Sequence, residues 1–583
     1  MLDVAVLAVL ALISRAWGTW FDHAHFDEWA AVSQSRVLLE TGELPVHMYG
    51  PGVTIWAVLP EWLARRLDAA PPVRFALHRI WEGAIPGALS ILLLWYITLR
   101  LTAVRWVAFV AGLLLVCAFV HFEASHYAKA DMLALSLLLS PLALVASRQG
   151  GAAGRGIDGS AHLPGPGFAI VAGVFAGVTV ACRPNMAVFL PVWPIYFLFA
   201  IRPFRMRRLL VRLAVFVPAV GLGWMALHLV CLKTVDGSVP KLLAHVVREA
   251  MVAKYTYPTL CQRPWWYYFA PFGHDLPALG VGRPILLAAA AGLLLGRVHP
   301  PQRALWRTLL VMAGLYLLFL CTERVRLIRW AGPLAPLLCL FAALALHRGH
   351  AVLAGLGCRR RAAGVLVAGL LLVMLAQPVR QMVLFDRSAG ETPTTLTAAR
   401  QWMAARPQAR YKVFGCFGWG PLEAEYPYHY PAAPFERELA RVRGLMEWIG
   451  ARTGVSADWP DPLPTPDPRQ IIGPLELMRR DRLDYIVVGG WRHDFLVHTP
   501  EGYAHDADIR RRLLAFAAEA RRKLVLCTRF APRCGSGWGM TFMGRQQTLE
   551  VYALPPGLRP DPTPAPQHAA APVLPWPGFV RAR

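Results

Sequence analysis

Two groups of acidic side chains lie beside separate apolar stretches of the chain. Residues 25–28, with Asp27 and Glu28, directly follow the first apolar stretch, and residues 126–131, with Asp131, directly follow the third. Two spans separate the groups, so a chain that crosses a membrane at each span brings both groups to one face. Carboxylates at a membrane boundary cost free energy and are usually kept for function. Their convergence predicts a catalytic cleft for a lipid-linked substrate.

Several cationic side chains are predicted at the same membrane face as these acids. They are Lys129, Arg183, Arg324, Arg326 and Arg329. One interpretation is that they anchor helix ends by extending toward the headgroups, as long cationic side chains commonly do. The other is that their guanidinium and ammonium groups bind the phosphate of a lipid-linked donor. The face that they share with the carboxylates favours phosphate binding for the set.

The composition predicts that a helical membrane domain positions these groups. The 583-residue chain is 56% hydrophobic and 16% charged, with a mean hydropathy of +0.41. Between Met1 and Phe385 it contains about eleven apolar stretches of roughly 13–20 residues, near the length that spans the hydrocarbon core. They lie at 2–20, 83–99, 106–122, 132–147, 167–181, 186–201, 213–232, 276–296, 308–322, 330–346 and 362–385. The first lacks the basic start and the cleavage site of a signal peptide, so we expect it to remain as a span.

The arginine distribution predicts the orientation of the chain in the membrane. The loops after even-numbered spans are rich in arginine and almost free of acids, with the densest run at 202–212. By the positive-inside rule these loops face the cytoplasm, as does the N-terminus. Both acidic groups then face outward, and so does everything after residue 385. The prediction is a multi-pass inner-membrane protein with a periplasmic C-terminal domain. The formal charge of +24 is mainly a topology signal, and no nucleic-acid partner is expected.

Two long loops are predicted on the outward side, at 21–82 and 233–275. The first contains Tyr49 and an amphipathic segment, 61–67, with the pattern of a helix that lies in the membrane interface. The second contains a run of aromatic side chains that could contact a substrate: Trp265, Trp266, Tyr267 and Tyr268. An aromatic belt at the membrane–water interface is the alternative interpretation of that run.

Five motifs, in order along residues 1–350, resemble those of GT-C fold, polyprenyl-phosphate-dependent glycosyltransferases. They are Asp27-Glu28 with Leu38 to Leu44 and Tyr49-Gly50-Pro51, then His126 to Asp131, Ala181 to Asn185, Pro264 to Tyr268, and Glu323-Arg324 with Arg329, Pro333 and Pro336. The pattern is similar to that of protein O-mannosyltransferases and of the aminoarabinose transferases that modify lipid A. Two departures bear on the substrate subfamily: Trp330 follows Arg329 where Tyr or Phe is usual, and one Pro follows Tyr49 where two are common.

The resemblance implies an enzyme that moves a hexose or pentose from a polyprenyl phosphate to an acceptor hydroxyl at the outer face. The acceptor could be a glycan, a lipid or a protein. Asp27 would be the general base, with Glu28 beside it and Asp131 orienting donor or acceptor. The alternative role for Asp27 is a helix N-cap. The candidate ligands of the donor phosphate are Lys129, Arg183, Arg324 and Arg329.

Metal and cofactor binding leave few signals in the sequence. Because the phosphate of such a donor is already a leaving group, no cofactor and no nucleotide-sugar site is expected. His23 and His25 beside Asp27 could hold a divalent cation, but interfacial histidines are more often only hydrogen-bonded. No Cys-x-x-Cys and no zinc-ligand spacing occurs. Cys527 and Cys534 are close enough in sequence to form a disulfide.

The composition changes after residue 385, and a soluble α/β domain is predicted at 386–554. Helices are predicted at 394–405, 436–449, 473–480 and 508–522, and strands at 411–416, 484–489, 523–527 and 548–554. Such alternation is typical of a small α/β domain. The glycines that follow the first strand lack the spacing of a dinucleotide fingerprint. Residues 555–583 form a proline-rich tail.

Two other functions are open from the sequence. A secondary transporter would favour inverted repeats and charged or helix-breaking residues at mid-span, whereas the charges here cluster at the outer boundary and the halves show no repeat. An oligosaccharyltransferase or ligase, which moves a whole lipid-linked glycan, would share the fold and the outward acids.

Overall fold

The computed structural model describes most of the membrane part and portions of the C-terminal part. The described residues are 2–20, 26–44, 50–150, 165–201, 204–256, 268–269, 278–296, 298, 302–322, 328–389, 395–414, 444, 447–448, 450–452, 473–489, 507–531 and 548–558. The side chains at 26–27, 29–30, 148–150, 248–256, 278, 328, 388–389, 396, 414 and 507–513 lie outside the description.

The first part of the described chain is almost entirely helical. Its helices are α1 (Leu2–Ala16), α2 (Phe26–Thr41), α3 (Pro51–Arg66), α4 (Pro71–His78), α5 (Ile85–Thr102), α6 (Arg105–Cys117), α7 (Phe119–Ala124), α8 (Ala130–Gly150), α9 (Pro166–Cys182), α10 (Val192–Ala200), α11 (Met206–His228), α12 (Val239–Thr256), α13 (Arg283–Leu295), α14 (Arg303–Thr322), α15 (Ala335–Gly355) and α16 (Arg360–Ala389). A π-helical segment, Arg79–Ala84, joins α4 to α5 in one continuous rod, and 3₁₀ turns at Pro184–Phe189 and Ile328–Leu334 precede α10 and α15.

Apolar helices of membrane-spanning length confirm the predicted class, a helical multi-pass membrane protein. By length and composition, six helical rods in the described chain can cross a membrane: Pro71–Thr102, Ala130–Ser147, Met206–Cys231, Arg303–Thr322, Arg329–Gly355 and Arg360–Arg387. Shorter apolar helices lie at Arg105–Cys117, Pro166–Cys182, Pro184–Ala200 and Arg283–Leu295. The total of eleven spans stays a prediction.

The region predicted as the first outer loop is largely helical where it is described, and the apolar rod that follows it begins earlier than the predicted span. The predicted second span begins at residue 83, whereas the observed rod begins at Pro71. The sequence pattern missed this start because His78, Arg79 and Glu82 interrupt the apolar run. All three side chains are buried, so the rod continues through them. The predicted second outer loop likewise contains a helix, α12.

Close helix contacts hold the membrane part together. Helix α9 packs along α11 and α13 packs along α15, while α5 contacts α1, α6 and α8. A Cβ atom on Gly177 of α9 would lie 2.1 Å from the carbonyl oxygen of Val220 on α11. Small residues permit such backbone approach, which contributes much of the packing energy between helices in lipid.

The described C-terminal part forms a four-stranded sheet with helices on both faces. The strands are β1 (Tyr411–Phe414), β2 (Tyr485–Gly489), β3 (Val525–Phe530) and β4 (Leu549–Ala553), in the order β1-β2-β4-β3. Strands β1 and β2 are parallel, and β4 is antiparallel to both of its neighbours. The helices are α17 (Thr395–Ala404), α18 (Pro474–Arg480) and α19 (Ala507–Lys523). The helices pack on the sheet through two apolar clusters, with α18 and α19 on one face and α17 on the other.

These elements lie close to the predicted positions. The four strands and three of the four helices each fall within a few residues of the expected range. The helix predicted at 436–449 and residue Cys534 lie mostly or entirely outside the described residues. The domain boundaries and the disulfide therefore stay predictions.

Candidate functional site

A buried carboxylate joins the two acidic segments. Glu28, in the first turns of α2, is fully buried. Its Oε1 accepts a hydrogen bond of 3.0 Å from the backbone N–H of Ala128, which lies in the second acidic segment. The two segments that the sequence predicts on one membrane face are therefore in direct contact, across 100 residues of chain.

Arg79 balances the charge of Glu28. Its Nε and Nη2 donate hydrogen bonds of 2.9 and 3.1 Å to the two carboxylate oxygens of Glu28, and its Nη1 donates one of 2.8 Å to the carbonyl oxygen of Thr19. The guanidinium is fully buried. A two-point pair of this kind fixes orientation as well as charge. One side chain of the π-helical segment thus positions the end of α1, the start of α2 and, through Glu28, the second acidic segment.

Of the predicted acid and base residues, Glu28 and Asp131 have described side chains. Asp27 lies in the first turn of α2, beside the buried Glu28, and its side chain is outside the described residues. Asp131 lies in the first turn of α8, with its carboxylate 2.5 Å from Nη1 of Arg183. Glu28 is enclosed with Arg79 in a buried ion pair.

Two of the predicted phosphate ligands lie beside Asp131. Arg183 is the extended residue between α9 and the 3₁₀ turn Pro184–Phe189, and its side chain keeps 15% of its surface exposed. Lys129 is buried, and its ammonium nitrogen lies 4.8 Å from the ring centre of Tyr127. The second acidic segment and the turn after α9 therefore place an anion, two cations and an aromatic ring in one region.

The later motif lies near the same region. The 3₁₀ segment Ile328–Leu334, which contains Arg329, packs against α7, the short helix before the second acidic segment. Tyr316 on α14 donates a hydrogen bond of 2.9 Å to the carbonyl oxygen of Trp330 and so holds this segment in place. Arg324 lies outside the described residues.

The aromatic candidates are only partly described. Tyr49, Trp265, Trp266 and Tyr267 lie outside the described residues. Tyr268 is fully buried and belongs to the main apolar cluster of the membrane part. Its ring is therefore a packing element rather than an exposed loop side chain.

One buried polar side chain that the sequence analysis did not select, Arg15, packs beside the segments that form the site. Arg15 of α1 donates hydrogen bonds of 3.0 and 2.7 Å to the carbonyl oxygens of Leu115 and Val116, where α6 ends. Its Nη2 also lies 2.9 Å from Nδ1 of His121. Unpaired carbonyl groups at a helix end need partners, and Arg15 supplies them from another helix. Its interruption of the first apolar stretch was the signal in the sequence.

His126 joins the second acidic segment to the end of α1. Its Nδ1 lies 2.8 Å from the carbonyl oxygen of Phe122, and its Nε2 lies 2.8 Å from that of Trp17. The segment after α1 is thus held by both His126 and Arg79, which contacts Thr19. Among the described side chains, no group of three or more His, Cys, Asp or Glu residues is placed so that it could hold a metal ion. His23 and His25 lie outside that part of the chain.

The region that contains the two acidic segments matches a known enzyme family. Residues 3–240 match the sequence model of the dolichyl-phosphate-mannose-protein mannosyltransferase family. The match confirms the resemblance and the enzyme class, a glycosyltransferase, that the motifs predict. Comparison with curated proteins gives no match.

Solved structures of membrane glycosyltransferases are similar to this chain at low identity. ArnT from Cupriavidus metallidurans in the apo state is 14% identical, with a TM-score of 0.46 over 94% of this chain and 97% of its own. The same protein bound to undecaprenyl phosphate is 17% identical, with a TM-score of 0.46 over 70% of this chain and 72% of its own. The Archaeoglobus fulgidus oligosaccharyltransferase tethered to an acceptor peptide is 16% identical, with a TM-score of 0.45 over 91% and 73%.

Proposed function

We propose, from the premise that this membrane protein is a glycosyltransferase that uses a lipid-linked donor, that it transfers one sugar from a polyprenyl phosphate to an acceptor hydroxyl at the outer membrane face. The acceptor is a glycan, a lipid or a protein. The chain lies in the inner membrane with its N-terminus in the cytoplasm and its C-terminal domain in the periplasm.

The contact between the two acidic segments is the observation that carries this proposal. The Glu28 carboxylate accepts a hydrogen bond from the Ala128 N–H, three residues before Asp131. This contact supports a shared site for Asp27, which adjoins Glu28, and Asp131. In a transporter pathway the charges would lie near mid-span, whereas Glu28, Asp131 and Arg183 lie at the ends of α2, α8 and α9.

Asp27 is the proposed general base. The acceptor oxygen attacks the anomeric carbon, its proton passes to the Asp27 carboxylate, and the bond from that carbon to the phosphate oxygen breaks. The polyprenyl phosphate leaves with the electron pair of that bond. A positioned base of this kind contributes about 10²- to 10⁴-fold to the rate. Glu28 and Arg79 hold the backbone of the first turn of α2 in place during this step.

Arg183 and Lys129 are the proposed ligands of the donor phosphate. Asp131 contacts one terminal nitrogen of Arg183, and a guanidinium has further N–H donors for phosphate oxygens. Fixed cations stabilise the charge that develops on the departing phosphate. Asp131 holds the Arg183 side chain in position, and Arg329 and Arg324 complete the set. The reaction needs no cofactor, and transfer in the presence of a chelator tests whether a divalent cation beside Asp27 contributes.

The decisive experiment is transfer by the purified full-length chain. It is incubated with radiolabelled polyprenyl-phosphate monosaccharides and membrane acceptors, and in parallel with a lipid-linked oligosaccharide. Transfer of a single sugar is the expected result, and transfer of the oligosaccharide alone would make the chain an oligosaccharyltransferase.

The base is tested by Asp27→Asn, which keeps the size and hydrogen-bonding capacity of the side chain but removes its basicity. We expect turnover to fall about 10²- to 10⁴-fold while donor binding and protein level are retained. Asp236→Asn, an 84% exposed outer-loop carboxylate paired with Lys241, is the control and should transfer normally. Near-normal transfer by Asp27→Asn would exclude Asp27 as the base.

A further inference from the structure

Helix α14 packs against two segments that carry proposed arginine ligands of the donor phosphate. One is the 3₁₀ turn Pro184–Phe189, which Arg183 directly precedes, and the other is the 3₁₀ segment Ile328–Leu334, which contains Arg329. Tyr316 of α14 contacts both segments and is fully buried. A single side chain therefore connects the surroundings of two cations that lie far apart in sequence.

The ring of Tyr316 contacts the turn after Arg183. It stacks on Phe189, with the ring centres 4.8 Å apart and the ring planes inclined by 11°. Phe189 is itself buried, and the backbone N–H of Met186 donates a hydrogen bond of 3.0 Å to the Arg183 carbonyl oxygen. Stacked aromatic rings stabilise a contact beyond the area that they bury. The stack thus holds the end of a short turn whose other end is Arg183.

The hydroxyl of Tyr316 contacts the segment of Arg329. It donates a hydrogen bond of 2.9 Å to the carbonyl oxygen of Trp330, the residue after Arg329. Because the Tyr316 side chain is fully buried, its hydroxyl cannot exchange this partner for bulk water. The bond therefore ties the backbone beside Arg329 to α14.

The same hydroxyl lies beside the ion pair of the candidate site. It is close enough to Asp131 and Arg183 for the charges of both to act on it. These two residues form the ion pair described above. The backbone next to Arg329 is thus held at the region where Asp131 meets Arg183.

We propose that Tyr316 is a positioning residue for the donor phosphate, which sets the separation between Arg183 and Arg329. Its ring fixes the turn after Arg183, and its hydroxyl fixes the backbone beside Arg329. Two cations stabilise one departing phosphate best when their positions are fixed before the reaction. This role of Tyr316 rests on the proposed function, which assigns both arginines to the same phosphate.

The role of Tyr316 is tested by Tyr316→Phe, which keeps the ring stack and removes the hydroxyl. Equilibrium binding to the purified full-length chain is measured for undecaprenyl phosphate and for undecaprenol, which lacks the phosphate. We expect the phosphate to bind about three- to tenfold more weakly, as loss of one hydrogen bond provides, and undecaprenol to bind as it does to the parent. Unchanged phosphate binding, or equal losses for both lipids, would overturn the proposal.

A double-mutant cycle determines whether Tyr316 acts through Arg329. In an Arg329→Gln background, Tyr316→Phe should cause no further loss of undecaprenyl phosphate binding, because the cation that it positions is absent. An equal further loss in both backgrounds contradicts the positioning role.

Thr308→Val is the matched control on the same helix. It removes another buried hydroxyl of α14, which donates a hydrogen bond of 2.8 Å to the Ala304 carbonyl oxygen within that helix. Its binding of undecaprenyl phosphate should equal that of the parent. A loss as large as that of Tyr316→Phe would show a general loosening of α14 and would refute the proposal.

Binding by the parent chain distinguishes the positioning role from the proposed function. A parent that does not bind undecaprenyl phosphate contradicts both. A parent that binds it and transfers sugar, while the losses in the cycle simply add, contradicts the positioning role alone. If Tyr316→Phe does not fold, Phe189→Leu and Arg183→Gln form the equivalent cycle through the ring contact. An equal loss from Phe189→Leu in both backgrounds then refutes the proposal.

Discussion

Glu28 and Arg79 show how a single buried ion pair can organise a site. Both side chains are withdrawn from water, and their two hydrogen bonds use both carboxylate oxygens. Removal of one partner from such a pair leaves an uncompensated buried charge, at a cost of about 3–5 kcal/mol. Loss of activity on substitution of either residue is therefore expected from misplacement of Asp27 and of the second acidic segment alone. Activity measurements at these two positions need a fold control.

Arg183 permits a sharper test at the scale of one residue. If it only anchors a helix end, Arg183→Lys should be tolerated, because lysine also extends to the headgroups. If it binds phosphate while held by Asp131, the loss of planar N–H donors should lower donor affinity about ten- to a hundredfold. Donor binding and transfer are the measurements, after a check of membrane insertion.

Arg100→Lys is the matched control for that substitution. Arg100 donates its hydrogen bonds to the backbone carbonyl groups of Ala146 and Ser147, away from the predicted site. Its replacement should leave donor affinity unchanged. Parental donor binding by Arg183→Lys would place Arg183 among ordinary helix anchors.

At the scale of elements, the contact between α9 and α11 depends on the absence of a side chain at Gly177. A Cβ there would lie 2.1 Å from the Val220 carbonyl oxygen and 2.7 Å from the Trp224 nitrogen. Because the obstacle is backbone, Gly177→Ala must push the helices apart, at a cost of about 1–3 kcal/mol. We expect a lower apparent melting temperature in detergent and, since α9 leads to Arg183, weaker transfer.

Gly221→Ala provides the comparison for the helix contact. Gly221 also lies on α11, but a Cβ atom added to it would have no neighbouring atom within 4 Å among the described residues. Alanine also favours helix over glycine by about 1 kcal/mol, so this variant should melt at or above the parental temperature. Equal melting temperatures for the two variants would show that the close approach of α9 and α11 is not required for stability.

The elements that could be predicted from sequence are those that repeat a simple pattern. The apolar runs and the alternating helices and strands after Phe385 correspond to observed elements because burial imposes periodicity on them. The start of the rod at Pro71 could not be predicted, since its buried polar residues interrupt the apolar run in any sequence pattern. The role of Arg79 could not be predicted either, because its partner Glu28 lies 51 residues away in sequence and comes near it only in the tertiary structure.

The sequence predicted the position of some motifs of the candidate site, but not the contacts of their side chains. Placement of the two acidic segments on one membrane face follows from counting spans, whereas their contact through Glu28 and Ala128 is seen only in the structure. Which carboxylate is enclosed and which is paired depends on side-chain direction, and the sequence did not separate Glu28 from Asp27 or Asp131. Tyr268 belongs to a run that also fits an aromatic belt, and only its burial identifies it as a packing residue.

At the scale of the whole molecule, orientation in the membrane is the main prediction. Reporter fusions after residue 390 and near residue 240 should be active in the periplasm, and a fusion near residue 205 should report the cytoplasm, because the arginine-rich loops stay inside. A cytoplasmic C-terminal fusion would contradict the odd number of spans and the outward C-terminal domain of the predicted topology.

Arg15 has a consequence for how the chain is made. Besides the hydroxyl of the adjacent Ser14, its hydrogen-bond partners lie 100, 101 and 106 residues further along the chain, at the end of α6 and in α7. While α1 emerges from the ribosome, those partners have not been synthesised, and an arginine without compensation is costly in lipid. Lateral release of α1 into the bilayer therefore has to wait for α6 and α7 or proceed with Arg15 near the headgroups. Biogenesis of the first helix is thus tied to the same later segment that completes the site.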